Sequence, residues 1–168
     1  MAHNLITRAS FTARQAQQYQ DALNRELGKP ADHVWDSTKS RIKSAGEPLV
    51  EYLLMSGEAE LTAPIRGTSG FAEEFARRGP RDSKGRSLRD FDLQTRLFKY
   101  PCSYLVYSPS FAALPAEVKN YVLHRMREVL SGRDQSEKFK HLSAADRQAI
   151  LEILDDTLPD WTFRQSSG

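Results

Sequence analysis

A single cysteine, Cys102, occurs in the 168 residues, so no internal disulfide can form. One thiol also excludes structural zinc of the cysteine type and a self-contained Cys-x-x-Cys-His haem attachment. Long hydrophobic runs are missing too. The longest, "PLVEYLLM", falls far short of the roughly 20 apolar residues that a membrane-spanning helix needs. The opening "MAHNLITRASFTARQAQQYQ" has neither the apolar stretch nor the small-residue cleavage site of a signal peptide, and the bare chain reads as cytoplasmic. Charge of one sign is scarce overall: the formal net charge is +2, too small to mark a nucleic-acid binder by itself. Period-two alternation is absent as well. "SYLVYS" is a candidate strand, but one strand makes no sheet, and the expected class is all-α.

What is present reads as one domain over residues 1–168, an irregular bundle of about five helices. Residues 10–57 are expected to be helical, 58–110 loop-rich, and 111–160 helical again. The composition, 39% hydrophobic and 27% charged, is that of an ordinary globular protein. The first helix has Ser10 or Thr12 as start signals and Gly28 and Pro30 as stops, with a narrow stripe of Ala16, Tyr19, Leu23 and Leu27. A second helical seam runs through Trp35, Thr38, Ile42, Ala45, Leu49 and Leu53. Pro48 inside it predicts a kink near Ser44 to Gly46, since proline lacks the N–H and crowds the preceding turn. Toward the end, Pro115 opens a helix with Val118, Tyr121, Val122, Met126 and Val129 on one face. Ser143 and Asp146 have capping-box spacing ahead of Ile150, Ile153, Leu154 and Leu158. Between these lies a long segment in which five of the nine glycines fall between Gly57 and Gly85. One short helix, at "SGFAEEFARRG" and capped by Ser69, relieves it. Loops this long usually bind or cover something.

Positive charge is concentrated in that segment. Arg77 to Lys99 holds eight basic residues against Asp82, Asp90 and Asp92, a net +5, so the rest of the chain carries −3. Two short motifs fail there. "GPRDSKGRS" has five residues between its glycines and an arginine where a phosphate-binding loop needs lysine. "LRDFDLQT" lacks the histidine and asparagine of a kinase catalytic loop. Two readings survive. Arg81, Lys84, Arg86, Arg89 and Arg96 are candidate anion ligands, with Phe91, Phe98, Tyr100, Tyr104 and Tyr107 near enough to stack on bases. Alternatively the interleaved aspartates pair with the arginines and brace a structural corner, and the aromatics, at core-like intervals, face inward. The bracing reading is the stronger, because charge runs of mixed sign usually solvate or pair.

Catalytic constellations are lacking. No Gly-x-Ser-x-Gly surrounds a serine. Glu73 and Glu74 are adjacent and point about 100° apart on a helix, a poor acid–base pair. Cys102, in "YPCSY", reads as a small buried hydrophobe. The histidines His3, His33, His124 and His141 have no helical metal-pair spacing, and His124 reads as filler on its helix. No catalytic residue is assigned, and the chain alone leans away from being an enzyme, although an unrecognised transferase or hydrolase site on the central loop stays open.

"HNLITRASF", "GTSGFAEEFARRGPRDSKGRSLRDFDLQTRLFKYPCSYLVYSPSFAALP" and "HLSAADRQAILEILDDTLPDW" together span nearly the whole chain. They resemble the C-terminal part of longer, uncharacterised bacterial proteins that look exported, some of them associated with c-type haem or other redox modules. The resemblance implies a periplasmic setting and a chain that begins inside a parent. Taken with the missing catalytic constellation and the narrow stripe of the first helix, it points to an accessory or capping role without catalysis. It also makes His3, ahead of the first helix, a candidate metal or axial ligand. Haem is then expected in a longer parent and no cofactor in this chain. The implied partner is the upstream domain of the same parent or a second copy, with nucleic acid as the alternative through residues 77–99.

Overall fold

The computed structural model describes residues 2–67 and 70–161, with side chains from Asn4 onward. Its regular structure is helical: α1 (Ala2–Glu26), α2 (Asp36–Leu53), α3 (Phe71–Arg77), α4 (Pro109–Ala112), α5 (Ala116–Leu130) and α6 (Ala144–Thr157), with three short 3₁₀ turns. An isolated bridge between Phe91 and Phe98 is the sole β pairing among the described residues. The protein is all-α. No helix among the described residues is long and apolar enough to cross a membrane. The chain forms two compact units, Met1–Tyr52 with Ser108–Met126, and Leu53–Tyr107 with Arg127–Gly168.

In the first unit, α1 begins eight residues before the expected Ser10, because "HNLITRAS" holds no glycine or proline to stop it. His3 therefore belongs to the helix rather than preceding it, and its side chain lies outside the described ones. The expected stripe holds at Ala16, is half-buried at Leu23 and fails at the other two positions. Tyr19 and Leu27 are exposed, while Ile6, Ala9, Ala13, Ala16, Gln20 and Asn24 are buried. The polar members are there because they are satisfied. Gln20 Oε1 accepts from the Trp35 backbone N–H, Asn24 Oδ1 accepts from Trp35 Nε1 at 2.7 Å, and Asn24 Nδ2 donates to the His33 carbonyl. The α2 seam is as expected at Thr38, Ile42, Leu49 and Leu53, all buried. Pro48 sits inside one continuous helix, with its ring exposed. Gly46 is needed for close approach, since a Cβ there would overlap the Tyr121 ring of α5. Tyr121 donates from its hydroxyl to Glu47, and Arg125 Nε donates to the same carboxylate at 2.7 Å.

In the second unit, "SYLVYS" forms a 3₁₀ turn, Tyr104–Tyr107, not a strand. The expected cap of α3, Ser69, lies outside the described residues, and Gly70 stands at the N-cap without a side-chain bond. Ser143 and Asp146 make the capping box at the start of α6. Leu88, Cys102, Phe139, Ile150, Ile153, Leu154 and Trp161 are fully or almost fully buried. Arg147 shares that interior at 8% exposure. Its guanidinium donates to the carbonyls of Leu142, Val129, Asp134 and Phe139, gathering the chain between α5 and α6 around one cation.

Candidate functional site

The basic segment folds into a sequence of tight turns, each closed by an aspartate. Asp82 takes the Arg86 carbonyl with its own N–H, and its carbonyl accepts from Gly85 N–H. Gly85 stands at φ 75°, where a side chain would be strained. The Asp82 carboxylate, wholly shielded from solvent, accepts from the backbone N–H groups of Lys84 (3.0 Å) and Arg86 (2.7 Å) and from Arg86 Nε (2.7 Å). Asp90 repeats the device, accepting from Ser87 N–H and from Arg81 at 3.0 Å. Asp92 accepts from Thr95 Oγ1 at 2.6 Å and from the backbone N–H of Thr95 and Arg96. Short polar side chains that hydrogen-bond backbone groups two to four residues away, onward at Asp82 and Asp92 and backward at Asp90, are what make such turns.

This corner is tied to α6 in the same unit. Glu152 receives Arg86 Nη2 at 2.6 Å and Lys84 Nζ at 2.7 Å. Asp156 accepts from the Ser83 N–H and hydroxyl, and Asp146 takes the Arg96 fork at 2.6 and 3.2 Å. Four of the five candidate anion ligands, Arg81, Lys84, Arg86 and Arg96, are thus paired with carboxylates of their own unit. The acidic partners on α6 were missed from sequence. Glu152 and Asp156 share one face of α6 at a spacing of four, but nothing in that spacing names the arginines they hold, and Asp146 lies off that row.

Arg89 is placed apart. Its guanidinium lies 4.6 Å from the Phe75 ring centre and 4.5 Å from that of Tyr104. Those rings belong to a half-buried cluster in which Phe91 stacks on Phe98 at 5.2 Å and Phe75 meets Phe91 at 5.1 Å. The aromatics of the segment are engaged mainly with one another. Phe71, stacked on Phe75, remains 63% exposed.

Burial alone would raise the Asp82 carboxyl, but the hydrogen bonds and charge of Arg86, with the Lys84 N–H, outweigh it and hold the group below its ordinary value. Glu152 is driven down from 4.5 to about 2 by hydrogen bonds from Gln148, Lys84 and Arg86. A depressed folded-state pKa stabilises above the unfolded value and loses that contribution as pH falls through the folded one. Urea-unfolding stability is therefore expected to drop between pH 4.5 and about 2. Glu152→Gln should flatten that part of the profile and lower stability at neutral pH. An unchanged acid slope in the variant would mean that Glu152 is not held in this way.

Among the described residues, nucleophiles and metal ligands do not converge. Cys102 is fully buried, and burial pushes its thiol up to about 12, far from a reactive thiolate. His141 Nε2 donates to the Leu54 carbonyl at 2.7 Å, His33 packs edge-on against Trp35, and His124 is exposed on α5. No group of three or more potential ligands occurs among the described residues. With one buried cysteine, the chain's own residues do not fit covalent haem. Compared with protein-family models, curated proteins and solved structures, the chain matches none.

Proposed function

We propose that this chain is a non-catalytic helical accessory module, the C-terminal part of an exported bacterial redox-type protein, whose charged corner holds a long loop in shape. The observation that carries the structural half is the internal pairing of Arg81 with Asp90, Lys84 and Arg86 with Glu152, and Arg96 with Asp146. Cations so engaged project little field outward, which disfavours the nucleic-acid alternative. The redox and export half is supported by the resemblance of "RSLRDFDLQTRLFKYPCSYLVYSPSFAALP" and its flanks to the ends of longer, uncharacterised bacterial proteins that look exported, some of them associated with c-type haem or other redox modules. In that setting any haem belongs to upstream sequence, and this chain packs beside it or beside a second copy.

Two measurements test the halves separately. The longest natural parent should show a c-type haem absorbance spectrum and iron by elemental analysis; a colourless, metal-free parent removes the redox assignment. A fluorescent single-stranded oligonucleotide should bind the chain no more tightly at low salt than at high salt. Binding that weakens steeply with salt, and that is lost in Arg81→Ala, Arg86→Ala and Arg89→Ala, would replace the accessory reading with the nucleic-acid one, because counterion release drives such binding.

A further inference from the structure

Of the six arginines between residues 77 and 99, five have donors engaged. Arg77 donates to the Glu73 carbonyl, Arg78 pairs with Glu74, and Arg81, Arg86 and Arg96 hold the carboxylates described above. The Arg89 guanidinium has no hydrogen-bonding or ion-pair partner among the described residues; its interactions are the two aromatic rings. Asp90, its neighbour in sequence, is already taken by Arg81 and the Ser87 N–H.

The unused fork is nevertheless held along its length. Its stem crosses Gly79, where an added Cβ would stand 2.8 Å from Arg89 Cδ and 3.2 Å from Cγ. Its charged end rests against Phe75 and Tyr104. The rings attract the cation but are poor acceptors for its N–H donors. An arginine whose rotamer freedom is already restrained has less entropy to lose when an anion arrives. Planar donors in fixed register match a carboxylate, which they grip two-pronged.

We propose that Arg89, framed by Phe75, Tyr104 and Gly79, is a recognition site for one carboxylate borne beside an aromatic or bulky apolar side chain on a partner protein segment. A single unpaired guanidinium suits a single acidic side chain. A nucleic-acid strand would instead need several free cations along its phosphates, and Arg81, Lys84, Arg86 and Arg96 are already paired. The exposed ring of Phe71, 5.8 Å from Phe75, continues the apolar wall on which the neighbouring side chain would lie. The inference concerns this frame alone and holds whether or not the parent carries haem.

The test is an NMR titration of the full ¹⁵N-labelled chain with N-acetyl-Phe-Asp-amide and with its uncharged counterpart N-acetyl-Phe-Asn-amide, following the backbone amide resonance of Gly79, which lies against the Arg89 stem and is present in wild type and every variant. The acidic dipeptide should shift it saturably, and the uncharged one should bind about tenfold more weakly, the scale of one charge-assisted hydrogen bond. Arg89→Lys retains the charge and most of the stem but not the fork, and should weaken the acidic dipeptide about tenfold as well. Phe71→Ser, at an exposed ring, should leave the melting temperature unchanged and weaken binding about threefold. Equal responses of wild type to the two dipeptides, or wild-type affinity in Arg89→Lys, would overturn the proposal. So would a ten-nucleotide oligothymidine that displaces the acidic dipeptide and binds more tightly through Arg89.

Discussion

Arg147→Ala is expected to lower the unfolding free energy by about 3 kcal/mol or more, because several carbonyls lose a shared donor in a place where water cannot easily replace it. Three of those bonds have ordinary lengths, 3.2 Å to Leu142, 3.1 Å to Asp134 and 3.0 Å to Phe139; the fourth goes to Val129. Among the described residues no carboxylate stands in for them, so this cation is stabilised by backbone dipoles. Arg147→Met separates packing from hydrogen bonding. It keeps much of the apolar stem, yet should destabilise nearly as much as alanine, since the carbonyls stay orphaned. Arg147→Lys should recover part of the loss, because one ammonium reaches fewer acceptors than a fork. Amide exchange should localise the damage to the turns of residues 131–142, with α1 less affected. Urea titrations in which the methionine variant stays within about 1 kcal/mol of wild type would show that packing, and not donation, is the role of this residue.

Arg147 also marks where sequence reading stops. On α6 the capping box and the apolar positions Ile150, Ile153 and Leu154 were legible, because each follows from local spacing. An arginine one turn into the same helix reads as a surface residue, since burying it requires acceptors supplied by chain 5 to 18 residues away. The shifted phase of α1, with Ala16 inward as expected but Tyr19 and Leu27 outward, has a related cause. Apart from Ile6, its buried face is built from alanines and from Gln20 and Asn24, which hydropathy discounts, and those amides become interior residues only because Trp35 arrives to bond them. The corner was half legible. Aspartates interleaved with arginines signalled pairing, and Asp82 with Arg86 and Asp90 with Arg81 are local enough to follow. Glu152 and Asp146, 66 and 50 residues from the arginines they hold, are not. The 3₁₀ turn at Tyr104–Tyr107 was masked by its β-prone residues, of which only Val106 is buried.

The corner's own energetics are separable because Glu152 holds two cations in different surroundings. Arg86 has 21% of its side chain exposed and reaches a fully covered Asp82, whereas Lys84 is 61% exposed. Arg86→Ala strips the side-chain donor from a shielded carboxylate and is expected to cost about 2–3 kcal/mol. Asp82→Ala should cost a similar amount, about 2–3 kcal/mol, since it leaves the Lys84 and Arg86 N–H groups and the guanidinium without their shared acceptor. The double variant should cost less than the sum by about 1–2 kcal/mol, because neither partner is then left stranded. Lys84→Ala, which removes a solvent-exposed contact to the same glutamate, should leave the unfolding midpoint within experimental error. Urea is the denaturant of choice, as guanidinium chloride would itself screen the charges under test. Strict additivity of the two single losses, or a lysine variant as unstable as the arginine one, would mean that the turn is held by its backbone geometry and that the ion pairs are incidental. Coupling on the expected scale would instead identify the Asp82–Arg86 pair as the lock that keeps residues 82–87 folded against α6, and with it the reason these cations have so little charge to offer an outside ligand.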